Sequence, residues 1–265
     1  MTQLFLPESL YGIDLDMTYK KLSVFYESKT SITGKVTRLD SENRVLEVLI
    51  GRNLIGYIPF YEATIYPINK CNGNLSPNIY ALVGKTIRAK IINLEIDNII
   101  LSRKENMLEA LSYIKEQEKI EYASITGMSR YMAFFDIGAG VLGRCYGKNY
   151  TNILYDNIRD IGLDKGDIIS VSIISFDQEN KNFELSRIDN LPSAFEVLKR
   201  NDVISGTISG PVNDPNQIGY FVDIDHSDHV GIVDSPDILE KGDKVVCNVK
   251  RVTEKGPKLS LMQKI

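Results

Sequence analysis

KGDIISVSIISFDQENKNFELS, at residues 165–186, follows a pattern that recurs at two other places in the chain. The other copies are VGKTIRAKIINLEIDNIILS at 83–102 and KGDKVVCNVKRVTEKGPKLS at 241–260. Each copy opens with a glycine turn, continues as an alternating apolar strand and ends in Leu-Ser. The separations from Gly84 to Leu101, from Gly166 to Leu185 and from Gly242 to Leu259 are 17, 19 and 17 residues. A repeat of this kind predicts an array of small β domains.

The composition is that of a globular protein with two or three domains. The chain has 265 residues, of which 43% are hydrophobic and 25% charged, values typical of folded domains. No apolar run approaches the roughly 18 residues of a membrane span, and the first residues lack the features of a secretory signal. Three cysteines, Cys71, Cys145 and Cys247, lie far apart and predict neither a disulfide framework nor a zinc site. We therefore expect a cytoplasmic protein without a membrane partner.

The charge is distributed unevenly, although the net charge of the chain is only −4. Residues 30–104 carry 10 Lys/Arg against 6 Asp/Glu, a balance of +4. Residues 117–190 carry 8 Lys/Arg against 11 Asp/Glu, a balance of −3. Residues 200–265 carry 8 Lys/Arg against 10 Asp/Glu, a balance of −2. The first repeat is therefore the one expected to attract an anionic partner.

The chain divides into three units separated by short helical segments. Apolar residues at helical spacing predict an N-terminal helix over 14–27, a linker helix over 105–119 and a second linker helix over 192–199. Residues 66–79, rich in Asn, Gly and Pro, are expected to form a loop. The predicted domains are a helical segment at 1–30, repeats at 31–104, 120–188 and 201–265, and linkers at 105–119 and 189–200. Five short strands in about 70 residues favour a small closed barrel, because closure removes the exposed strand edges.

The second unit contains the clearest motif, SITGMSRYMAFFDIGAGVLGRCY at residues 124–146. It resembles the RNA-binding OB-fold repeat of bacterial ribosomal protein S-one, which contains the phrases Phe-Gly-x-Phe-Val-Asp and Gly-Leu-Val-His-Ile-Ser. In that family two aromatic rings and the histidine form the surface on which bases stack. Tyr131, Phe134 and Tyr146 fall on those three positions, and the 12 residues from Phe134 to Tyr146 match the family's spacing. The fold class that this resemblance implies is all-β with linker helices, as three tandem five-stranded OB-fold barrels.

The resemblance implies that Tyr131, Phe134 and Tyr146 form a base-stacking surface, which we call the platform. Aromatic faces stack on any base, at roughly 1–3 kcal/mol per base. The alternative is that these rings belong to the core, which is the commonest use of Tyr and Phe on strands. Phe135, at the family's valine position, is expected in the core. Further candidate RNA-binding residues of this unit are Arg144, Lys148 and Arg187.

The third unit keeps the frame of the repeat but little of the platform. Residues 218–223 and 231–235 resemble the two family phrases. Phe221 is the one aromatic residue at a stacking position, and it is a candidate for RNA binding as much as for the core. Asp234 replaces the histidine, and its carboxylate would repel phosphate.

The first unit has Glu42, Val45 and Pro59 at the three stacking positions and therefore no platform. Its phrase Gly-Tyr-Ile-Pro, at residues 56–59, resembles Gly-Phe-Ile-Pro in the first repeat of many S-one proteins. Four basic residues of this unit either form a face for phosphates or belong to an ordinary solvated surface. They are Lys35, Arg38, Arg44 and Arg52.

Three other motifs favour no further chemistry. Residues 138–143 match Gly-x-Gly-x-x-Gly, but a strand follows them instead of the helix that a dinucleotide site needs, so a hairpin turn is expected. The segment His226-Ser-Asp-His229 has no third metal ligand at clear spacing and is expected to be a solvated loop. Nothing near Cys145 indicates an activated thiol. We find no catalytic group, cofactor site or metal site and expect a protein that is not an enzyme.

The resemblance thus implies an RNA-binding protein that binds single-stranded RNA, mRNA in particular, in translation on the small ribosomal subunit. Its expected partners are single-stranded RNA and proteins of that subunit. One alternative is a protein-interaction adaptor whose OB folds no longer bind RNA, which the acidic second and third repeats favour. Another alternative is an accessory module for a ribonuclease or polymerase.

Overall fold

A computed structural model describes residues 5–67, 77–96, 98–153, 157–212, 219–253 and 256–265. Cys71 and most of the predicted loop 66–79 lie outside these residues. The described strands form three closed barrels of five strands each. The prediction of three tandem five-stranded barrels is therefore confirmed.

Each barrel has the same strand order. In the first, β1 Ile32–Asp40, β2 Val45–Gly51, β3 Leu54–Pro59, β4 Thr86–Glu95 and β5 Asn98–Ser102 close in the order β1-β2-β3-β5-β4. The second consists of β6 Lys119–Met128, β7 Met132–Asp136, β8 Leu142–Tyr146, β9 Ile168–Asp177 and β10 Asn182–Ser186. The third consists of β11 Val203–Pro211, β12 Tyr220–Ile224, β13 Val230–Asp234, β14 Lys244–Thr253 and β15 Gly256–Lys264. In every barrel the third and fifth strands pair in parallel.

The repeated glycine turn has the same geometry in all three barrels. The glycine has a positive φ in each copy, of 82°, 104° and 97°, a conformation that glycine adopts without steric cost. Its N–H donates to a carbonyl of the first strand at 2.8 Å in each barrel, from Gly84 to Val36, from Gly166 to Ile125 and from Gly242 to Ile208. The turn therefore ties the start of each fourth strand to the first strand.

The leucine of each Leu-Ser phrase lies in the core of its barrel and packs on a glycine of the third strand. Leu101, Leu185 and Leu259 are at most 1% exposed. A Cβ on the facing glycine would come within 2.5–2.7 Å of the leucine Cδ1, for the pairs Gly56–Leu101, Gly143–Leu185 and Gly231–Leu259. Glycine is thus a packing requirement at these three positions of the third strands, since a larger residue would displace the leucine.

The N-terminal helix and the first linker helix form, with ends that differ from the predicted ones. Helix α1 runs over Tyr19–Glu27, because Thr18 caps it by accepting the Lys21 N–H, and not over 14–27. Helix α2 is one turn, Pro77–Tyr80. Helix α3 runs over Arg103–Ile114, since the Ser102 hydroxyl accepts the Glu105 N–H at 3.0 Å and starts the helix earlier than predicted. The last residue of the Leu-Ser phrase is therefore also a helix cap.

The predicted second linker helix at 192–199 is wrong in extent. Helix α5 is a single turn, Ala194–Val197, in which Ser193 and Glu196 form a capping box. Pro192 therefore precedes the helix and does not occupy its first turn. Another single turn, α4 Gly147–Tyr150, follows β8, and 3₁₀ turns cover Glu8–Leu10, Phe60–Glu62, Ile158–Ile161 and Ile188–Asn190. In the described part of the chain, no helix combines the length and apolarity that crossing a membrane requires.

The chain forms two compact units. The first comprises Met1–Gly127, Phe134–Cys145 and Lys165–Leu185, and thus holds the first barrel and most of the second. The other unit comprises Met128–Ala133, Tyr146–Asp164 and Ser186–Ile265, and holds the remainder of the second barrel with the third.

A buried ionic junction within the first unit joins the N-terminal segment to both barrels. The Glu8 carboxylate accepts hydrogen bonds from the Arg103 guanidinium at 2.8 Å on each oxygen. The Glu8 N–H donates to Asp136 at 2.7 Å, and the N–H groups of Gly138 and Gly140 donate to the same carboxylate at 2.9 Å. Burial, with a contribution from the Glu8 charge, raises the pKa of Asp136 to about 6. We call Glu8, Arg103 and Asp136 the junction.

Candidate nucleic-acid interface

Two of the three platform residues lie side by side in the second compact unit. Tyr131 immediately precedes β7 and its side chain is 58% exposed. Tyr146 ends β8 and is half-buried. The Gly147 N–H donates to the Tyr131 carbonyl at 2.8 Å, which fixes the end of β8 against Tyr131. The structure thus brings together two of the aromatic residues that the resemblance selects.

An arginine that the sequence reasoning missed lies on the Tyr131 ring. The Arg130 guanidinium carbon is 5.2 Å from the centroid of that ring, within the range of a cation–π contact. Arg130 is exposed, and its carbonyl accepts the Ile158 N–H at 3.1 Å. Its place next to Tyr131 in the sequence was the available signal. A positive charge beside an exposed ring is the combination that binds single-stranded nucleic acid.

Phe134, the third platform residue, belongs to the first compact unit. It lies in the middle of β7 and is 39% exposed, whereas its neighbours Ala133 and Phe135 are fully buried. The prediction that Phe135 belongs to the core is therefore confirmed. The alternation along β7 points Phe134 out of the barrel, because successive side chains of a strand point to opposite faces.

Phe134 also lines a cavity of about 750 Å³ between the first two barrels, within the first unit. We call this cavity the cleft. Lys85 and Lys165, from two copies of the repeated glycine turn, line it together with the predicted residue Arg144. Burial and the nearby charge of Lys165 lower the pKa of Lys85. The sequence reasoning missed both lysines. The signal that could have found them is that each lies next to the glycine of a repeated turn, Lys85 after Gly84 and Lys165 before Gly166.

Arg187 has a different role from the predicted contact with RNA. Its guanidinium donates to both oxygens of the Asp228 carboxylate, at 2.8 and 2.7 Å, and to the Tyr150 carbonyl at 3.0 Å. The side chains of Arg187 and Asp228 are only 12% and 17% exposed. The Thr151 hydroxyl donates to Asp228 as well. A bidentate pair of this kind leaves the guanidinium committed to protein, so the structure argues against phosphate binding by Arg187.

The same ion pair corrects the interpretation of the segment His226-Ser-Asp-His229 as a solvated loop. Asp228 is partly buried and paired, and thus anchors the turn between β12 and β13 within the second unit. Among the residues that the structure describes, no group of three or more potential metal ligands comes together.

The other candidates of the second and third barrels lie at the surface. Lys148 is exposed on the single turn α4. Phe221, in β12, is 36% exposed, while the next residue, Val222, is buried. Asp234 is exposed at the end of β13. The exposed Phe221 ring therefore stands in the same strand as a core residue, as Phe134 does in the second barrel.

The four basic candidates of the first barrel are all exposed but spread along one hairpin. Lys35 and Arg38 lie on β1, and Arg38 pairs with Glu47 at 3.5 Å. Arg44 and Arg52 flank opposite ends of β2, Val45–Gly51. Strand geometry places these two about 25 Å apart, at about 3.3 Å per residue. The four residues thus follow the length of the hairpin and do not converge on one phosphate.

The glycine motif at 138–143 forms the predicted hairpin turn. Gly138, Ala139 and Gly140 have φ values of 141°, 50° and 80°, and the strand β8 follows. A Cβ on Gly140 would overlap the Arg103 guanidinium, and one on Gly138 would meet the Phe5 carbonyl oxygen at 2.7 Å. The glycines therefore make room for the N-terminal segment and the junction. Cys145, the thiol next to this region, is buried.

Comparison with known proteins shows a similarity along most of the chain. The chain matches no protein-family model. It is 28% identical over 202 residues to small ribosomal subunit protein bS1 of Staphylococcus epidermidis, covering 67% of this chain and 50% of the relative. It is 24% identical over 272 residues to small ribosomal subunit protein bS1 of Staphylococcus aureus, covering 94% and 65%. The chain therefore spans about half to two-thirds of the length of these relatives.

Among solved structures, the chain is similar to a multidomain protein with nucleic acid binding domains from Streptococcus pneumoniae. The identity is 12%, the TM-score is 0.25, and the match covers 89% of this chain and 74% of the other. The three repeated barrels and the similarity to the bS1 proteins together support the resemblance of this chain to the S-one repeat proteins.

Proposed function

We propose that the protein binds single-stranded RNA by stacking bases on the platform, Tyr131, Phe134 and Tyr146. The observation that carries this proposal is the exposed Tyr131 ring with the Arg130 guanidinium upon it. The ring offers a face for a base, and the guanidinium offers charge for the adjacent phosphate. Exposed Phe134, on the strand that Tyr131 precedes, offers a further stacking face.

We extend the proposal to translation because of the relatives. Both reported relatives are named as proteins of the small ribosomal subunit. The proposed ligand is mRNA, the proposed partners are components of that subunit, and the proposed role is binding and not catalysis. Lys148 and Arg144 remain candidate phosphate contacts, whereas Arg187 is not proposed as one because its guanidinium pairs with Asp228.

The stacking proposal is tested by anisotropy titration of a labelled single-stranded RNA of about 12 nucleotides, within the range that OB folds cover. Removing Tyr131 and Phe134 together, by Tyr131→Ala and Phe134→Ala, takes away two stacking faces. At roughly 1–3 kcal/mol per base, we expect the Kd to rise by at least tenfold.

Tyr61→Ala is the matched control, because Tyr61 is an exposed aromatic residue of the first barrel, at 68% exposure, outside the platform. We expect this variant to bind RNA as the wild type does. Equal affinity of the double variant and the control would rule out the platform.

A protein-interaction adaptor is the second candidate, and one observation favours it. Phe195, Val197 and Val203, which lie close together in the sequence of the second unit, are each at least 49% exposed. Exposed apolar side chains that form a contiguous surface patch are typical of protein contacts. Salt separates the two candidates, since RNA binding weakens steeply with salt. An adaptor would retain no RNA even at low salt.

A further inference from the structure

The cleft has the size and position of a ligand site. Its volume of about 750 Å³ lies within the roughly 300–1,000 Å³ of sites that enclose small ligands. Both barrels of the first unit contribute to it, and each contributes its copy of the repeated glycine turn. Lys85 follows the glycine of the first turn and Lys165 precedes the glycine of the second.

The cleft carries an excess of positive charge. Lys85 and Lys165 both line the cleft, and Arg144 adds a third cationic side chain. Burial and then the charge of Lys165 lower the pKa of Lys85. The two carboxylates in the cleft wall, Glu8 and Asp136, are already used by the junction. Like charges brought together in a partly enclosed site favour an anion between them.

The cleft also contains an aromatic wall. Phe134 lines it and is partly exposed, so a ligand in the cleft can combine a flat ring with an anionic group. A nucleotide has both parts. Phe134 is also one of the three platform residues.

We propose that the cleft binds one nucleotide of the single-stranded RNA, with its phosphate between Lys85 and Lys165 and its base against Phe134. This inference rests on the proposed function and adds a specific position for the RNA, between the first and second barrels. It also assigns a role to two of the three repeated glycine turns that goes beyond closing the barrels.

The third copy of the turn offers a matched control. Lys241 precedes Gly242 as Lys165 precedes Gly166, and it is exposed. Asp243, which follows Gly242, forms an ion pair with Lys264. A Lys241→Gln variant therefore removes one positive charge from an equivalent turn outside the cleft.

The test compares the salt dependence of RNA binding by the full chain in the wild type, in Lys85→Gln/Lys165→Gln and in Lys241→Gln. Each phosphate contact on a single strand contributes about 0.7 to the slope of log K against log salt. If both lysines share one phosphate or contact two, we expect the double variant to lose about 0.7–1.4 of that slope. We expect the control to keep the wild-type slope. An unchanged slope in the double variant overturns the cleft proposal.

A second measurement separates this proposal from the proposed function. Adenosine monophosphate, with inorganic phosphate as a reference, is titrated into labelled protein while the amide resonances of Gly84 and Gly166 are followed. If the protein binds no RNA but the mononucleotide shifts both resonances, the RNA proposal fails and the cleft is a site for free nucleotides. If neither RNA nor the mononucleotide shifts them, the cleft proposal is wrong.

Discussion

At the scale of single residues, the contact between Gly143 and Leu185 controls the packing of the second barrel. A Cβ on Gly143 would lie 2.5 Å from the Leu185 Cδ1 atom, and Leu185 is fully buried. We predict that Gly143→Ala lowers the free energy of unfolding by about 1–3 kcal/mol, the usual cost of overpacking a core. Urea denaturation measures this loss as a lower midpoint with an unchanged slope.

Gly127→Ala is the control for that substitution. Gly127 lies in β6 of the same barrel, and a Cβ added there meets nothing within 4 Å. We expect its stability to equal or slightly exceed that of the wild type, because alanine restricts the unfolded chain. If both variants lose the same stability, the leucine contact is not the cause.

The candidate site could be predicted only in part from its residues. Tyr131 and Tyr146 were selected by their positions in the motif, and strand alternation accounts for the exposure of Phe134. Lys165 was not selected, because its neighbour in the cleft, Lys85, is 80 residues away in the sequence. Arg187 was selected for its charge, but it forms an ion pair with Asp228, which lies in the third barrel. Motif position indicates which way a side chain points better than it indicates what the side chain contacts.

At the scale of secondary-structure elements, Ser102 couples the end of the first barrel to the start of the linker helix. Its hydroxyl accepts the Glu105 N–H and donates to the Glu62 carboxylate. We predict that Ser102→Ala lowers the free energy of unfolding by about 1–2 kcal/mol, since a lost N-cap costs up to this amount. Circular dichroism followed through thermal unfolding checks the loss.

Ser112→Ala, in the same helix, serves as the comparison. Ser112 is exposed and donates only to the Leu108 carbonyl of its own helix. Alanine has the higher helix propensity, so we expect no loss of stability there. We also expect Ser102→Thr to retain most of the stability, because threonine can cap as well. A destabilised Ser112→Ala would contradict the capping explanation.

The strands could be predicted better than the helices, for a local reason. Alternating apolar residues between glycine turns identify the strands of each barrel, whereas a helix end depends on a single cap. Thr18 and Ser102 start helices at residues that apolar spacing alone does not mark. In the second linker, Ser193 and Glu196 cap a helix of only one turn.

At the scale of the whole molecule, the junction makes stability depend on pH. The pKa of Asp136 is raised to about 6 from 3.8, so between these values the folded state binds more protons than the unfolded state. The stability that Asp136 contributes is therefore largest below pH 4 and is lost as the pH rises through about 6. We predict that the unfolding free energy of the wild type, minus that of Asp136→Asn, falls by up to about 3 kcal/mol from pH 4 to pH 7.

Asp177→Asn is the comparison, because we expect the stability that Asp177 contributes to change with pH in the opposite direction. Asn180 donates to the exposed Asp177 carboxylate and lowers its pKa. The contribution of Asp177 is therefore present above its ordinary pKa of 3.8 and is lost as the pH falls below that value. A difference between the wild type and Asp136→Asn that does not vary with pH would contradict the raised pKa of Asp136.

The junction itself could not be predicted from the sequence. Glu8 bonds to Arg103 across 95 residues and to Asp136 across 128. Local patterning carries no information about partners so far apart, and nothing in the first residues indicates an ionic anchor. Gly138 and Gly140 are the sequence feature that reflects the junction, because their missing side chains leave room for Phe5 and for the Arg103 guanidinium.

During synthesis, Glu8 is complete well before its partners in the junction, Arg103 and Asp136, have been made. Glu8 leaves the ribosome first and Arg103 follows. Asp136 emerges 33 residues after Arg103, and its glycine turn is complete at Gly140, 37 residues after Arg103. At 5–20 residues per second, that interval lasts roughly 2–7 s. During this interval all strands of the first barrel have been synthesised, but the N-terminal segment still lacks Asp136 and the glycine turn to which it binds. Nascent chains halted before residue 136 should therefore leave this segment open to proteases, and chains halted well beyond residue 186 should protect it.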